Sequence, residues 1–353
     1  MAFLTGLLTS TFSTFFILFS AHRIGRGVTL SFMEIGTVLL GHAGVLMEPT
    51  AREIVVGIVV HQCADVAWAV AFFGLGARLT WQLRPGELLA IAPFWALATQ
   101  AAEYHVILPW LQPLLRMQTP FWVGCMVHAA SAIAYPLFYW IRRCFVADGA
   151  APYARFDRWM AAGLACVLAF LIGTEACYSF GRMPYISLWA GERNRAFDQA
   201  FLRWMHAHHA VGVTLAELAA AQATREDLRT LGRLMVAEQQ AEIVAQQQWW
   251  RNWFGGELPP PTPEEHAVMP GMPSHDTLAQ LRKLDGRAFE ESFLEVMTSH
   301  HDGAIRMAND AWAHAGDPRL RLFADQIRHT QAIQAEHMRQ WRYALGGHFR
   351  TSR

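Results

Sequence analysis

The chain has 353 residues, with 29 acidic and 29 basic side chains and a formal net charge of zero. This balance argues against a nucleic-acid partner and against a strong surface field. Charged residues make up 16% of the chain and hydrophobic residues 53%, whereas soluble domains carry about 25% charged residues. Part of the chain is therefore expected to lie in lipid, and its length allows two domains.

The apolar residues concentrate in residues 1–181, whereas residues 182–353 have the pattern of polar, amphipathic helices. We predict two domains with these bounds and refer to them as the apolar half and the polar half. All cysteines fall in the apolar half, so the polar half is expected to have neither disulfides nor thiolate metal sites. They are Cys63, Cys125, Cys144, Cys166 and Cys177.

Six blocks of the apolar half each approach the ~20 residues that a helix needs to cross a bilayer. They are 2–20, 28–47, 54–77, 88–111, 120–141 and 159–180. Helices are expected because backbone groups in lipid must bond within their own segment. The first block has no preceding positive charge and no clear cleavage site, which favours a retained helix over a signal peptide. Cleavage would leave five spans.

The arginines predict the orientation of these spans. Three loops are rich in arginine, and the loops between them hold only Arg52 and Arg116. The positive-inside rule places the rich loops in the cytoplasm. We therefore expect an integral protein of a bacterial inner membrane whose polar half is periplasmic or otherwise extracytoplasmic. The arginines of the rich loops are Arg23 and Arg26; Arg78 and Arg84; and Arg142, Arg143, Arg155 and Arg158.

Ionisable residues interrupt the apolar blocks, where they are costly and normally face the interior of a bundle. Four blocks are expected to bring a histidine to a similar depth near the outer face. One interpretation is a metal, haem or proton site, and the other is a set of His–carboxylate hydrogen bonds that hold the bundle together. The residues are His42, His61, Asp65, Glu103, His105, His128 and Glu175.

The polar half contains an internal repeat, because residues 195–249 align with 287–341 at a constant offset and without a gap. Turn signals divide each unit into two helices. Two helix pairs make a four-helix bundle, and a stretch rich in Gly and Pro from 255 to 261 links them. The predicted fold class is all-α, with a transmembrane bundle of five or six spans before this bundle. The predicted helices are 195–221, 226–250, 287–314 and 318–345.

Methionine and histidine recur in both units at i, i+3 and i+4, a spacing that shares one helix face. Imidazole suits copper, and thioether selects Cu(I). The alternative is that the methionines are core residues and the histidines are simply hydrogen-bonded. The candidate ligands are Met205, His208 and His209 in the first unit, and Met297, His300, His301, Met307, His337 and Met338 in the second.

Other residues of the polar half could assist such a site. Met269, Met272 and His275 lie in the linker, and His329 lies on the last helix. Four polar residues of the second helices are candidates to orient the imidazoles, although they could equally face solvent. They are Gln239, Glu242, Gln331 and Gln334.

The run from Met297 to Ala308, Met-x-x-His-His-x-x-Ala-Ile-x-Met-Ala, resembles the family called domain of unknown function 305. The string Gln331-x-x-Gln334-x-x-x-Met338-x-x-Trp341 resembles it too. The resemblance covers 269–345 and, more weakly, 195–250. It implies a ferritin-like four-helix domain, placed outside the cytoplasm, that binds copper through Met and His.

The resemblance supports a ligand set in the second unit, namely Met297, His300, His301, Met307 and Met338. The first unit has Leu215 in place of Met307 and Gln246 in place of Met338. A Met-rich site is therefore not implied in the first unit.

Three functions are compatible with these patterns. The favoured one is a membrane-anchored copper-binding protein for sequestration, handling or tolerance, with Cu(I) as the ion and other copper-handling proteins as partners. The alternative is a membrane oxidoreductase or metal transporter with haem or metal at the intramembrane histidines. The third is a structural or sensory module without metal.

An enzyme is not expected, and we assign no catalytic residues. The sequence has no nucleophile–base arrangement, no P-loop and no dinucleotide fingerprint. The helices that carry the His pairs lack the Glu-x-x-His motif of a ferritin-like di-iron centre.

Overall fold

The computed structural model of the protein describes residues 1–146, 154–187 and 192–347. Across these residues the regular structure is helical, without strands, which confirms the all-α class. The last residues of the predicted polar half, 348–353, lie outside the described residues.

The apolar half contains seven helices and several short helical pieces. The short pieces are Gly41–Gly44, Ala77–Thr80, Leu108–Leu111 and Pro113–Gln118, together with the π-helical turns Ala71–Leu75 and Glu103–Ile107. The seven helices are α1 (Ala2–Arg23), α2 (Val28–Leu40), α3 (Ala51–Val70), α4 (Pro85–Ala102), α5 (Phe121–Ala132), α6 (Leu137–Phe145) and α7 (Ala154–Ser179).

Four helical segments are long and apolar enough to cross a membrane, namely Ala2–Arg23, Ala51–Leu75, Phe121–Phe145 and Arg158–Ser179. Two of the six predicted blocks differ. Block 28–47 forms the 13-residue α2, which reaches only about 20 Å, because Gly41 ends it with φ of 58°. Block 88–111 is divided into α4, a π-helical turn and a short helix.

Helix α2 is packed between α3 and the polar half. A Cβ atom on Gly57 of α3 would lie 1.8 Å from the carbonyl oxygen of Phe32, so the two helices touch backbone to backbone. On its other side, α2 contributes Leu30 and Met33 to an apolar cluster with Leu234 of the polar half. This short helix therefore connects the two halves.

The loop between α1 and α2 also lies against the polar half. A Cβ atom on Gly25 would lie 2.3 Å from the ring of Phe323. Arg23 is buried and pairs with Glu175 at 3.1 Å, and the buried Arg26 pairs with Glu34. The sequence analysis placed this loop on the cytoplasmic side, opposite the polar half. That prediction is wrong, because the loop contacts the polar half at Phe323. The rule that led to it counts exposed positive charges, whereas both arginines are paired with carboxylates inside the structure.

The polar half contains four long helices and two short ones. The long helices begin and end within one turn of the predicted bounds. They form two hairpins, α8–α9 and α12–α13, and α8 packs against α12. The helices are α8 (Glu192–Gln222), α9 (Glu226–Trp253), α10 (Pro263–Val268), α11 (His275–Leu281), α12 (Gly286–His314) and α13 (Pro318–Gly347).

Each hairpin turn is held by a carboxylate from the other hairpin. Glu290 of α12 accepts hydrogen bonds from the backbone N–H groups of 224–225 at 2.8 and 2.9 Å. Asp198 of α8 accepts bonds from those of 316–317, both at 2.9 Å. The two contacts correspond under the offset that aligns the repeats. Each one satisfies N–H groups where a helix begins and places negative charge there.

Replacing Glu290 with Ala should lower the stability of the polar half by about 1–2 kcal/mol, because it removes the buried carboxylate that accepts from the N–H groups at the start of α9. Thermal unfolding followed by helical circular dichroism measures this change. The matched control is Glu291→Ala, which removes an exposed carboxylate paired with Arg287 and should cost less than about 0.5 kcal/mol. Equal effects of the two variants would contradict the capping role.

Candidate metal centre

A buried polar layer crosses the middle of the polar half, between two apolar clusters. Along α8, Met205 belongs to one cluster and Leu215 to the other, with two histidines between them. Along α12 the order is reversed, from Met297 to Met307. The residues of this histidine layer, all buried, are His208, His209, Glu238, Gln239, Glu242, Gln246, His300, His301, Thr330, Gln331 and Gln334.

The four histidines of the layer lie where α8 and α12 pack together. Each has no exposed surface. The rings of His208 and His300 are stacked, with centroids 3.8 Å apart and planes 15° from parallel. The His pairs of the two repeat units therefore lie together, away from water.

Each of the four imidazoles has one nitrogen held by a protein group. His208 Nε2 lies 3.1 Å from the carbonyl oxygen of residue 270, and His300 Nδ1 lies 3.2 Å from that of residue 271. His301 Nε2 lies 2.7 Å from Gln334 Oε1. His209 Nε2 lies 2.5 Å from Glu242 Oε2, a contact at ion-pair distance without hydrogen-bond geometry.

The other ring nitrogen of every one of these imidazoles has no hydrogen-bond partner. These atoms are Nδ1 of His208, His209 and His301, and Nε2 of His300. Metal-binding histidines characteristically have one nitrogen fixed by a neighbouring acceptor, which orients the other toward the ion. His208, His300 and His301 therefore have the arrangement that a ligating histidine needs, whereas His209 has only the close contact with Glu242.

The linker between the hairpins lies directly on α12 beside the histidines. Gly271 has φ of 77°, and a Cβ atom on Gly303 would lie 2.0 Å from the carbonyl oxygen of Pro270. The absence of a side chain at Gly303 thus lets the linker backbone reach His208 and His300. The sequence indicated linker methionines here, but nothing in it revealed that backbone carbonyls would orient the imidazoles.

Burial sets the charge of the layer. Loss of hydration lowers the pKa of His300 to about 3, and the neighbouring imidazoles of His301 and His209 add to this effect. Loss of hydration also lowers the pKa of His301 to about 4 and that of His208 well below 6.5. These imidazoles are therefore neutral at neutral pH, the form that binds metals.

The layer holds further buried polar atoms without partners, namely Glu238 Oε1, Gln239 Oε1, Gln331 Oε1 and both amide atoms of Gln246. Such atoms are costly in a protein core and are normally paired. Their number, next to four free imidazole nitrogens, fits a layer that receives a cation.

The described side chains, in their present positions, do not form a site of His, Cys or carboxylate ligands. Among the described residues, no three His, Cys, Asp or Glu side chains are grouped closely enough to hold a metal ion. An ion in the layer therefore requires thioether ligands or a rotation of the imidazole rings. Thioether ligands select Cu(I).

The methionines lie on both sides of the layer. Met205 and Met307 pack in one apolar cluster, whereas Met297 and Met338 pack in the other. The five-residue ligand set implied by the resemblance is thus divided by the histidine layer. The methionines nevertheless flank it on both sides, three of them on the two helices that carry the histidines and Met338 on α13.

Some predicted residues lie away from the layer. His337 is half-buried, with its ring 6.3 Å from that of Trp341, and His275 is exposed in α11. Met272 and His329 are half-buried, whereas Met269 is buried in the linker. Glu238 was not predicted, although its spacing from Glu242 puts both on one face of α9.

The intramembrane histidines are only partly brought together. His61 and His128, with Asp65 and Glu103, line a cavity of about 480 Å³ in the apolar half. His61 Nε2 lies 2.9 Å from Ser13 Oγ, and His128 Nε2 lies 3.2 Å from Glu103 Oε2.

His42 and His105 do not join this group, because both side chains are exposed. His42 follows the turn at Gly41 that ends α2. His105 lies in a π-helical turn, where the extra residue changes the helical register on which the prediction depended. Of the four histidines that were expected at a similar depth, two therefore line the cavity and two are exposed.

Residues 198–342 match the family model described as Domain of unknown function (DUF305). This match confirms the resemblance found in the C-terminal part of the sequence. The comparison with curated proteins found no match.

Solved structures similar to this chain include CopM in the Cu(I)-bound form, at 26% identity over 42% of this chain and 95% of that chain, with a TM-score of 0.36. CopM in the Cu(II)-bound form is 26% identical over 42% of this chain and 96% of that chain, with a TM-score of 0.37. A putative secreted DUF305 protein from Streptomyces coelicolor is 23% identical over 42% of this chain and 92% of that chain, with a TM-score of 0.38.

The lowered pKa values of His300 and His301 predict that the metal-free protein loses stability in acid. Below pH 6.5 these histidines become protonated in the unfolded chain. In the folded protein they stay unprotonated until the pH approaches their pKa values of about 3 and 4. Each histidine should then cost up to about 1.4 kcal/mol for each pH unit. Thermal unfolding between pH 7 and 5 measures this loss. His301→Gln, which cannot titrate, should make the dependence shallower, and an unchanged slope would contradict the assignment.

Proposed function

We propose that this protein is a membrane-anchored copper-binding protein that holds Cu(I) in the histidine layer of its polar half. The observation that carries the proposal is the state of the buried imidazoles of His208, His300 and His301. Each has one nitrogen placed by a protein acceptor, and the other has no partner among the described residues. Imidazoles oriented in this way are suited to bind a metal ion.

The surroundings of the layer favour a soft, singly charged ion. Met205 and Met307 flank it on one side, and Met297 and Met338 flank it on the other. Thioether and imidazole together suit copper, and thioether selects Cu(I). Burying one positive charge also costs less than burying two, because the cost of desolvation rises steeply with charge.

The proposed ligands come from both hairpins. His300, His301, Met297, Met307 and Met338 form the set of the second unit, and Met205, His208 and His209 are its counterparts in the first. The stacked rings of His208 and His300 support one shared site within a ferritin-like four-helix bundle rather than two separate ones. The recurrence of the turn contacts at Asp198 and Glu290 supports a duplicated hairpin.

We further propose that the apolar half crosses the membrane five times, with α2 outside the set of spans. The polar half meets the apolar half at one end of several helices. Trp122 Nε1, at the start of α5, donates to Asp325 Oδ2 at 2.9 Å. Gln248 Nε2 donates to the carbonyl oxygen of Tyr178, at the end of α7, at 2.8 Å. These ends therefore share one side of the membrane.

The opposite ends of the same helices carry most of the remaining arginines, including Arg78 after α3 and Arg142 and Arg143 in α6. The positive-inside rule places those ends in the cytoplasm. The polar half is then extracytoplasmic, which in a bacterial inner membrane is the periplasm. In that position it would sequester copper or exchange it with other copper-handling proteins, and so contribute to copper tolerance.

The cavity in the apolar half favours a second candidate function, a metal transporter or membrane oxidoreductase. Its polar residues, His61, Glu103 and His128, are paired with neighbouring side chains. This pairing fits hydrogen-bonded or proton-carrying groups better than haem ligands. The absorbance spectrum of the purified protein tests the haem version, which predicts a Soret band.

The His300→Ala, His301→Ala double variant should reduce Cu(I) affinity by at least 100-fold, because it removes two of the four imidazoles from the layer. Competition with a chromophoric Cu(I) chelator, using the full chain in detergent, measures this. The matched control is His275→Ala with His337→Ala, which removes two histidines outside the layer and should change affinity less than about threefold. Equal affinity of the two double variants would reject the site.

The orientation can be tested by labelling single cysteines from outside the cell. Two single-cysteine variants are compared. When Glu257→Cys in the exposed linker is the only cysteine, a membrane-impermeant maleimide should label it on intact spheroplasts. When the native Cys144, exposed at the end of α6, is the only cysteine, it should react only after lysis. The reverse pattern would put the polar half in the cytoplasm.

A further inference from the structure

Buried charges lie where the polar half meets the apolar half. Glu238 of the histidine layer is fully enclosed, and its Oε2 accepts a hydrogen bond from Gln334 Nε2 at 2.7 Å. Gln334 in turn lies 2.7 Å from His301 Nε2. A hydrogen-bonded chain therefore runs from a proposed copper ligand to a carboxylate at the interface.

The apolar half places two charged groups opposite this carboxylate. Arg26 and Glu34 form a buried ion pair, and both act electrostatically on Glu238. Arg26 also donates to the carbonyl oxygen of Gln118. Both members of this pair line the cavity of about 480 Å³, so the interface charges lie between the histidine layer and that cavity.

Two oxygens at this interface have no partner, Glu238 Oε1 and Glu34 Oε1. The group comprises two carboxylates and a single guanidinium, so one negative charge is left uncompensated if both carboxylates are ionised. Loss of hydration, and next the negative charge of Glu34, raise the pKa of Glu238 well above its usual range. Glu242 on the same helix acts in the same direction, whereas Gln334 and Arg26 act against it. Burial and the charge of Glu34 therefore both favour the protonated form of Glu238.

We propose that Glu238 is the proton-exchange site of the histidine layer, so that entry of one Cu(I) ion is matched by release of one proton from Glu238 to the solvent. The inference rests on the proposed copper site and adds its charge balance. One O–H bond of Glu238 breaks and one forms on a solvent water molecule, and no electron is transferred. The layer gains a positive charge and loses one, so the enclosed region keeps its net charge.

The exchange has a physical reason in the cost of burying an uncompensated ion, which in a core is severe. A proton lost from Glu238 leaves a carboxylate close to the bound cation, linked to His301 through Gln334. Carboxylate and histidine groups in membrane proteins are typical carriers of protons. Glu34 lines the cavity that contains such groups, and it lies close enough to Glu238 to act on it electrostatically.

The test counts the protons released for each Cu(I) bound at pH 7. Anaerobic titration calorimetry of the full chain in detergent, repeated in two buffers of different ionisation enthalpy, gives this number. The five cysteines are alkylated first, because thiols that bind copper also release protons. The native protein should release about one proton more than Glu238→Gln. Glu336→Gln, which removes an exposed carboxylate of α13, should behave as the native protein does.

A second measurement keeps the test decisive if Glu238→Gln does not fold. A native protein that binds Cu(I) but releases no proton between pH 6 and 8 overturns the exchange. So does a Glu238→Gln variant that releases as many protons as the native chain. A native protein that binds no Cu(I) fails the proposed function itself, which separates the two outcomes.

Discussion

The enclosure of four imidazoles away from water is the constraint on which the rest of the polar half depends. Polar atoms in a core are costly when they lack partners. Here one nitrogen of each ring lies against a carbonyl, amide or carboxylate group, the other has no hydrogen-bond partner among the described residues, and apolar clusters pack on either side. The long hairpins, the capped turns and the close linker all serve to hold this layer at fixed geometry.

The contact between the two halves is more extensive than membrane anchoring alone requires. Helix α2 is too short to span the membrane and instead packs between α3 and the polar half, through contacts such as Met33 with Leu234. Arg26 and Glu34 extend this contact with buried charge beside Glu238. A change in the histidine layer can therefore act on the apolar half through a continuous set of packed and hydrogen-bonded groups.

The polar half was largely predictable from sequence because its signals are local. Helical periodicity and turn residues located the four long helices, and the recurring Met-x-x-His-His spacing located the rings of the layer. The depth of the histidine rings in the core and the directions of their nitrogens were harder to predict. The rings of His208 and His300 stack only because α8 and α12 pack together, and the role of Pro270 and Gly271 depends on a backbone contact that no side-chain pattern encodes.

In the apolar half, hydropathy located the long helices but did not reveal that blocks 28–47 and 88–111 are shortened or divided. Arg23 and Arg26 count as loop charges in a sequence, yet both are buried in ion pairs, which removes them from the charge that orients a loop. The exposure of His42 and His105 likewise follows from an early helix end at Gly41 and a π-helical turn. Neither feature changes the hydropathy on which span assignment relies.

The linker backbone over the histidines affects how fast a ligand can exchange. Gly303 and Gly271 bring the carbonyls of 270–271 against α12, so that one side of the layer is closed by main chain rather than by mobile side chains. An ion held beneath it can leave on that side only when several residues lift together, and such local openings are far rarer than side-chain motions. Exchange of a ligand across that side of the layer is then limited by motion of the linker backbone.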